Sequence, residues 1–377
     1  MESRTLKQAI DGSFLLGAAI SIHALDDAAQ VDLLTREFDQ LTAENVMKPM
    51  SVQPRPGEFT FAEGDRIANF ARDHSMTMIG HTLAWHQQTP PWFAQAADGA
   101  PLSRDRALRN LREHIFTVMR HFRGRVLGWD VVNEAISDTE GEYLRDTPLR
   151  RAIGDDYIAQ AFRFAAEADP DAKLYYNDYG TERPPKRERI VRLLNELKRD
   201  GVPIDGVGWQ AHLGLKWEPA VDARTHEPTR PPWADEIEPT ILALHAACPD
   251  VMVTELDVDV LPWPATGMGT VLTDENRDAI DPFGEVVPDH VHAAQAALYA
   301  ELFDAFERHR DKLSRVTFWC VNDGQSWLNY WPVQGRTTHP LLFDRANRPK
   351  PAYYAARDAV LRCKRGRSPF SSQEAIQ

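Results

Sequence analysis

The chain has 377 residues, 43% hydrophobic and 26% charged, which excludes a disordered protein and leaves enough apolar material for a large core. Lys and Arg total 43 against 56 Asp and Glu, and the formal charge of −13 repels phosphate backbones and anionic lipid. No nucleic acid and no membrane face is therefore expected as a partner.

Three widely spaced cysteines, Cys248, Cys320 and Cys363, fit neither a disulfide framework nor a Cys-rich zinc site. No apolar stretch approaches the roughly 18 residues a membrane helix needs. The run FLLGAAISI from Phe14 follows Arg4 and Lys7 as a leader would, but Asp11 and Gly12 interrupt its approach and no small-residue cleavage pattern follows. It reads as a buried strand.

From there the chain alternates short apolar runs with amphipathic segments. The runs are FLLGAAIS from Phe14, QLTAENVMK from Gln40, MTMIGHTLAW from Met76 and RVLGWDVVNE from Arg125. KLYYNDY from Lys173, GVGWQAH from Gly206, DVMVTELDV from Asp250 and RVTFWCVND from Arg315 complete the set. Between them lie helical patterns. In the clearest, Ser103 is the expected N-cap, and Leu108, Leu111, Ile115, Val118, Met119 and Phe122 recur at three- and four-residue spacing. Asp289 to His309 and Lys186 to Asp200 behave likewise, and the charges of the latter read as a solvated helix face.

Eight such units predict an α/β fold, a single closed (β/α)8 TIM barrel over residues 1–365 with a short polar tail at 366–377. An open doubly wound sheet is the alternative, but no GxGxxG turn follows the first strand to support its dinucleotide-binding form. Two long loops are expected, Asp259–Pro288 after the seventh strand and Val321–Arg348 after the eighth, both on the catalytic face of such a barrel.

Polar residues gather where the strands finish: Glu44, Asn45 and Lys48; His81, Trp85 and His86; Asn133 and Glu134; Asn177 and Tyr179. Gln210 and His212, Glu255 and Asp257, and Trp319 and Asn322 follow. One such residue is an ordinary rim feature; their convergence favours a site for a polar, hydrogen-bonding ligand. The ten Trp all fall on strands or βα loops. Trp129 and Trp209 read as core, whereas Trp327 and Trp331 lie in a long loop on the active face, where a flat indole with one N–H suits a sugar ring.

His81 and His86 do not form a metal-ligand pattern, and neither metal nor cofactor is expected. Glycosidic cleavage typically needs two carboxyl groups across the bond, and Glu134 and Glu255 are the natural pair. Each follows an apolar strand, so burial is expected to raise their pKa values. A catalytically inactive sugar-binding barrel would keep the Trp residues but needs no such pair.

TAENVMK, HTLAWHQQTP, WDVVNEA, YYNDY, GWQAHL, VTELDV and TFWCVND followed by SWL resemble the ordered motifs of glycoside hydrolase family 10 xylanases, from Phe14 to about Ala356. The resemblance implies a retaining endo-β-1,4-xylanase acting on xylan or xylo-oligosaccharides. Glu134 then matches the acid/base and Glu255 the nucleophile, with Asn133 on the 2-hydroxyl of the attacked sugar and His212 with Asp257 as a relay keeping the nucleophile ionised. Lys48, His81, Trp85, Gln210 and Trp319 resemble the wall of the subsite before the cleaved bond, and Glu44, Asn45 and Trp327 the next one out. Asn177 and Tyr179, at the end of the fifth strand, complete the expected substrate-binding set.

Cys320 departs from the family pattern, which usually has Gly after the Trp; slight repacking around Trp319 is expected. A β-1,4-glucanase on a related barrel is the rival, since one hydroxymethyl group shifts discrimination by only about 1–3 kcal/mol. A monomer in the cytoplasm, working on short soluble oligosaccharides, is expected because the first strand starts at Phe14 and no binding module follows Arg365. A secreted protein stripped of its leader and restarted at Met would read the same.

Overall fold

Each of the eight apolar runs forms a parallel strand: β1 Leu15–Ile20, β2 Gln40–Ala43, β3 Thr77–Ala84, β4 Gly128–Asn133, β5 Lys173–Asp178, β6 Gly206–Trp209, β7 Asp250–Asp259 and β8 Leu313–Trp319. The computed structural model describes residues 4–218, 221–264 and 269–366, so nearly all of the expected tail lies outside the described residues. Neighbouring strands pair in chain order, and β8 pairs with both β7 and β1, closing the barrel. Both faces of such a strand are covered, by helices outside and by side chains across the barrel inside, which is why the runs are continuously apolar rather than alternating.

Inside the wall, large and small residues face each other. A Cβ on Gly80 of β3 would lie 2.2 Å from the Trp129 ring on β4, so this indole packs directly on glycine backbone. Trp129 and Trp209 are both fully enclosed, as core residues.

Among the described residues a main helix follows each strand, with shorter helical turns in some loops: α1 Ala28–Glu37, α2 Ala62–Asp73, α3 Arg104–Phe122, α4 Tyr157–Ala168, α5 Pro184–Arg199, α6 Ile237–Ala247, α7 Asp289–Arg308 and α8 Pro351–Gly366. Leu111, Ile115, Val118, Met119 and Phe122 bury the inner face of α3, with Leu108 half-buried at its edge. Ser103 does occupy the N-cap position of α3, but its side chain makes no capping hydrogen bond. The solvated face expected on α5 needs a correction at its first turn. Lys186 is buried, its ammonium 3.1 Å from Asp178 and 2.9 Å from Asp138, because the helix N-terminus lies over the end of β5.

The loops after β7 and β8 are joined by a short parallel ladder, Thr270–Val271 with Val333–Gln334. The connection after β6 is long as well, a feature outside the sequence expectations, and its described parts are residues 210–218 and 221–231. Its start extends the sheet as His212–Gly214, paired with Asp257–Asp259 of β7. Its Ala223 joins Val260, Leu261, Phe283, Val287 and Val291 in a second apolar cluster beneath these loops. No described helix is long and apolar enough to cross a membrane.

Candidate active site

The strand ends deliver one continuous hydrogen-bonded network. Glu255, within β7, is buried, and Asn177 of β5 donates from Nδ2 to its Oε1 at 2.8 Å. Its Oε2 lies 3.2 Å from His212 Nε2, and His212 Nδ1 is 2.9 Å from Asp257 Oδ2. Sheet register explains this: His212 stands directly opposite Asp257 in the β6 extension. Trp327 donates from its indole N–H to the same Asp257 oxygen at 2.8 Å.

Burial pulls the His212 pKa down, but the charge and hydrogen bond of Asp257, with Glu255 beyond it, carry it up to about 10. Burial likewise pushes Glu255 up, yet its hydrogen bond to His212 and the nearby His81 and His212 charges leave it below the ordinary carboxylate value. This corrects the expectation that burial raises both glutamates. Opposite charge and hydrogen bonding outweigh desolvation here.

Glu134 follows β4 and goes the other way. Burial lifts its pKa, Asp178 and Glu255 add repulsion, and hydrogen bonds from Gln210 and Trp85 only partly offset the rise. Trp85 Nε1 donates to Oε2 at 2.7 Å, and Gln210 Nε2 to Oε1 at 3.0 Å. The two halves of the network meet at Asn133, whose Oδ1 accepts from Asn177 Nδ2 at 3.1 Å and from Gln210 Nε2 at 3.2 Å. Asn133 and Asn177 are register partners across β4 and β5, so the barrel itself brings them together.

An aromatic and cationic wall stands beside this floor. The buried Lys48 ammonium is 4.9 Å from the Trp85 ring centroid and 5.7 Å from that of Trp319, and it bonds Asn45 Oδ1 at 3.1 Å. Burial pulls its pKa down while Glu255, Glu44 and Glu134 pull it back. Burial also raises Glu44, with Lys48 opposing. His81 is oriented by Asp130 at 2.9 Å and meets Trp319 edge-on at 5.3 Å, while the Trp327 and His212 rings are 4.7 Å apart.

Three expected residues are engaged elsewhere than on the open wall. Asn177 is fully buried, held by Thr254, which donates to its Oδ1 at 2.7 Å, and it serves the Glu255 carboxylate. The Tyr179 hydroxyl bonds Asp138 and Arg145, and its ring lies 3.4 Å from the Lys186 ammonium. Asn322 turns into the β8 loop, donating to Asn347 at 2.7 Å. His86 lies 3.9 Å from Glu134, with its pKa pushed down to about 4 by burial, so it is neutral.

Sequence reasoning missed Thr254, Arg145, Asp138 and Lys186. Only the last carried a signal, as the first Lys of a Pro-Pro-started helix directly after a strand-end motif. Cys320 has φ +85°, a left-handed conformation, which is the physical reason glycine suits that place. Among the described residues no group of three or more His, Cys, Asp or Glu is arranged to hold a metal ion.

The family model described as Glycosyl hydrolase family 10 matches residues 5–359. The chain is 39% identical over 352 residues to the endo-1,4-beta-xylanase of Geobacillus stearothermophilus, covering 93% of this chain and 97% of that protein. To endo-1,4-beta-xylanase A of Xylanibacter ruminicola it is 38% identical over 352 residues, covering 92% and 91%. A solved GH10 endoxylanase retrieved from a sugarcane soil metagenome matches with a TM-score of 0.84 at 36% identity, covering 95% of this chain and all of that one. With its barrel, its paired glutamates and a match spanning almost its whole length, the chain belongs to glycosyl hydrolase family 10.

Proposed function

We infer that this protein is an endo-β-1,4-xylanase that hydrolyses internal bonds of xylan and xylo-oligosaccharides with retention of configuration. One observation carries the reading: two buried glutamates in a single amide network, Glu134 held towards its protonated form and Glu255 towards its ionised form. That division is what double displacement requires.

In the first step Glu134 gives its proton to the glycosidic oxygen as the Glu255 carboxylate attacks the anomeric carbon. The leaving sugar departs with that proton, and an ester to Glu255 remains. In the second, Glu134 takes a proton from water, the water oxygen attacks the same carbon, and Glu255 leaves as a carboxylate stabilised by the His212 imidazolium. Asn133 meets the 2-hydroxyl of the attacked sugar. Lys48, His81, Trp85, Gln210 and Trp319 line the subsite around it, and Glu44, Asn45 and Trp327 the next. Asn177 acts through Glu255, and Tyr179 borders the side from which the leaving sugar departs.

A glucanase reading is not favoured, because the relatives reported above are xylanases. The test is proton NMR of the first product from a xylo-oligosaccharide. A β-anomer forming first is expected; an α-anomer rejects retention, and absence of new reducing ends on xylan rejects the activity. The Glu134 and Glu255 carboxyl groups should stand about 5–5.5 Å apart in a crystal structure. The proposal includes a monomer working in the cytoplasm on short soluble oligomers, for which the unpatterned cysteines are modest support. A sedimentation mass and cell fractionation test it, and recovery of the protein from culture medium rejects it.

A further inference from the structure

Glu134 has φ +59°, a conformation that non-glycine residues seldom adopt and that the surroundings must hold in place. The next residues, Ala135 and Ile136, complete a turn whose every backbone polar group is engaged. On the donor side, Glu134 N–H bonds the Asn177 carbonyl at 2.9 Å, and the Tyr176 hydroxyl accepts from Ala135 at 3.0 Å and from Ile136 at 3.3 Å.

On the acceptor side one residue does everything. Arg145 donates from Nε to the Glu134 carbonyl at 3.0 Å, from its own backbone N–H to the Ala135 carbonyl at 2.8 Å, and from Nη2 to the Ile136 carbonyl at 3.3 Å. Its guanidinium is fixed in turn by Asp138 at 2.8 Å and by the Tyr179 hydroxyl at 2.8 Å. Lys186 ties Asp138 to Asp178, which itself reaches the Ile136 N–H at 3.4 Å.

We propose that Arg145 is a positioning residue for proton transfer: it clamps the turn after β4 so that the Glu134 carboxyl is aimed at the leaving oxygen. This rests on the reading of Glu134 as the acid/base. The fork geometry is the active element, since two guanidinium nitrogens reach two carbonyls of one turn while Asp138 and Tyr179 lock the side chain. Glu255 and its relay are bonded to β5, β7 and the β6 extension, so loosening the clamp leaves the nucleophile in place.

The test compares Arg145→Gln and Arg145→Lys on two substrates, with thermal melts confirming that each variant is folded. On a xylo-oligosaccharide, whose leaving sugar needs a proton, kcat/KM should fall about 10- to 100-fold in both variants, the scale of a misplaced catalytic group. On a dinitrophenyl xylobioside, whose phenolate leaves unaided, kcat/KM should stay near the native value. Lys keeps the charge but lacks the fork, so native-like activity of Arg145→Lys on the oligosaccharide overturns the proposal. So does an equal loss on both substrates, which marks a merely structural role. Glu134→Gln is run alongside: if it too slows both substrates alike, the acid/base assignment is what has failed, and the clamp falls with it.

Discussion

Replacing Asp257 by Asn removes one negative charge from the series Trp327–Asp257–His212–Glu255 while preserving its shape. In the native protein His212 is raised from about 6.5 to about 10, against the downward pull of burial, a gap worth ~5 kcal/mol at ~1.4 kcal/mol per unit. A folded value above the unfolded one means this stabilisation is complete below pH about 6.5 and is lost as pH rises through about 10. Asp257 stands ahead of Glu255 among the groups that raise His212, so the Asn variant, which keeps an acceptor but no charge, should lose a substantial part of the rise.

Imidazole NMR from pH 5 to 10 reads this directly: the native ring should keep its proton well above neutrality, and the variant should titrate clearly lower. Above that new ionisation kcat should fall, because a neutral imidazole no longer favours the departure of Glu255 as a carboxylate. The stability difference between native and variant should also narrow as pH rises from the variant's own His212 ionisation to about 10, by at most ~1.4 kcal/mol per unit. A His212 still protonated at pH 9 in the variant, or an unchanged kcat–pH profile, would refute the relay.

Glu134→Gln should cost about 100-fold or more in kcat/KM on xylo-oligosaccharides but far less on an aryl xyloside with an acidic phenol, whereas Glu255→Gln should damage both alike; steady-state kinetics decide. If these roles hold, the raised Glu134 should set the alkaline limb of kcat/KM and the lowered Glu255 the acid limb, so a pH profile in which Glu134→Gln leaves the alkaline limb intact contradicts them. Asn133→Ala should lower kcat more than it raises KM, because the 2-hydroxyl bond strengthens in the transition state; an effect confined to KM would demote it to ordinary binding. Cys320→Val should destabilise by about 1–2 kcal/mol, as a β-branched residue at φ +85°, while Cys320→Gly should keep kcat/KM near native; equal melting temperatures for the two would contradict the backbone argument.

The barrel was legible because buried parallel strands leave a strong trace: eight apolar runs, seven of them with polar residues at their ends. Glu134, Glu255, His212, Asp257 and Gln210 were legible as a set for the same reason, since a strand end tells where a side chain emerges. What stayed hidden depends on contacts between distant segments. Lys186 looks solvated on its own helix, and only the position of Asp178 and Asp138 buries it. The direction of the Glu255 shift could not follow from its apolar strand, because His212 arrives from a different one. The loop after β6 escaped notice because its apolar anchors, Ala223 and the partly buried Trp217, are too sparse to form a periodic pattern. At Cys320 the sequence shows an odd residue, and the reason it is odd lies in a dihedral angle.

The amide network also has a polarity. Thr254 gives its hydrogen to Asn177 Oδ1, which turns the Asn177 amine towards Glu255 and Asn133. The Asn133 carbonyl is then filled by two donors, and only its amine, 3.4 Å from Glu134, remains lightly held. The floor of the cleft is therefore a one-way conductor of hydrogen bonds that ends in the Asn133 donor beside Glu134. It questions an incoming group on a single point, whether it can receive a hydrogen. A hydroxyl answers by rotating, accepting from Asn133 while handing its own hydrogen to a carboxylate; a deoxy carbon at the same place has no reply.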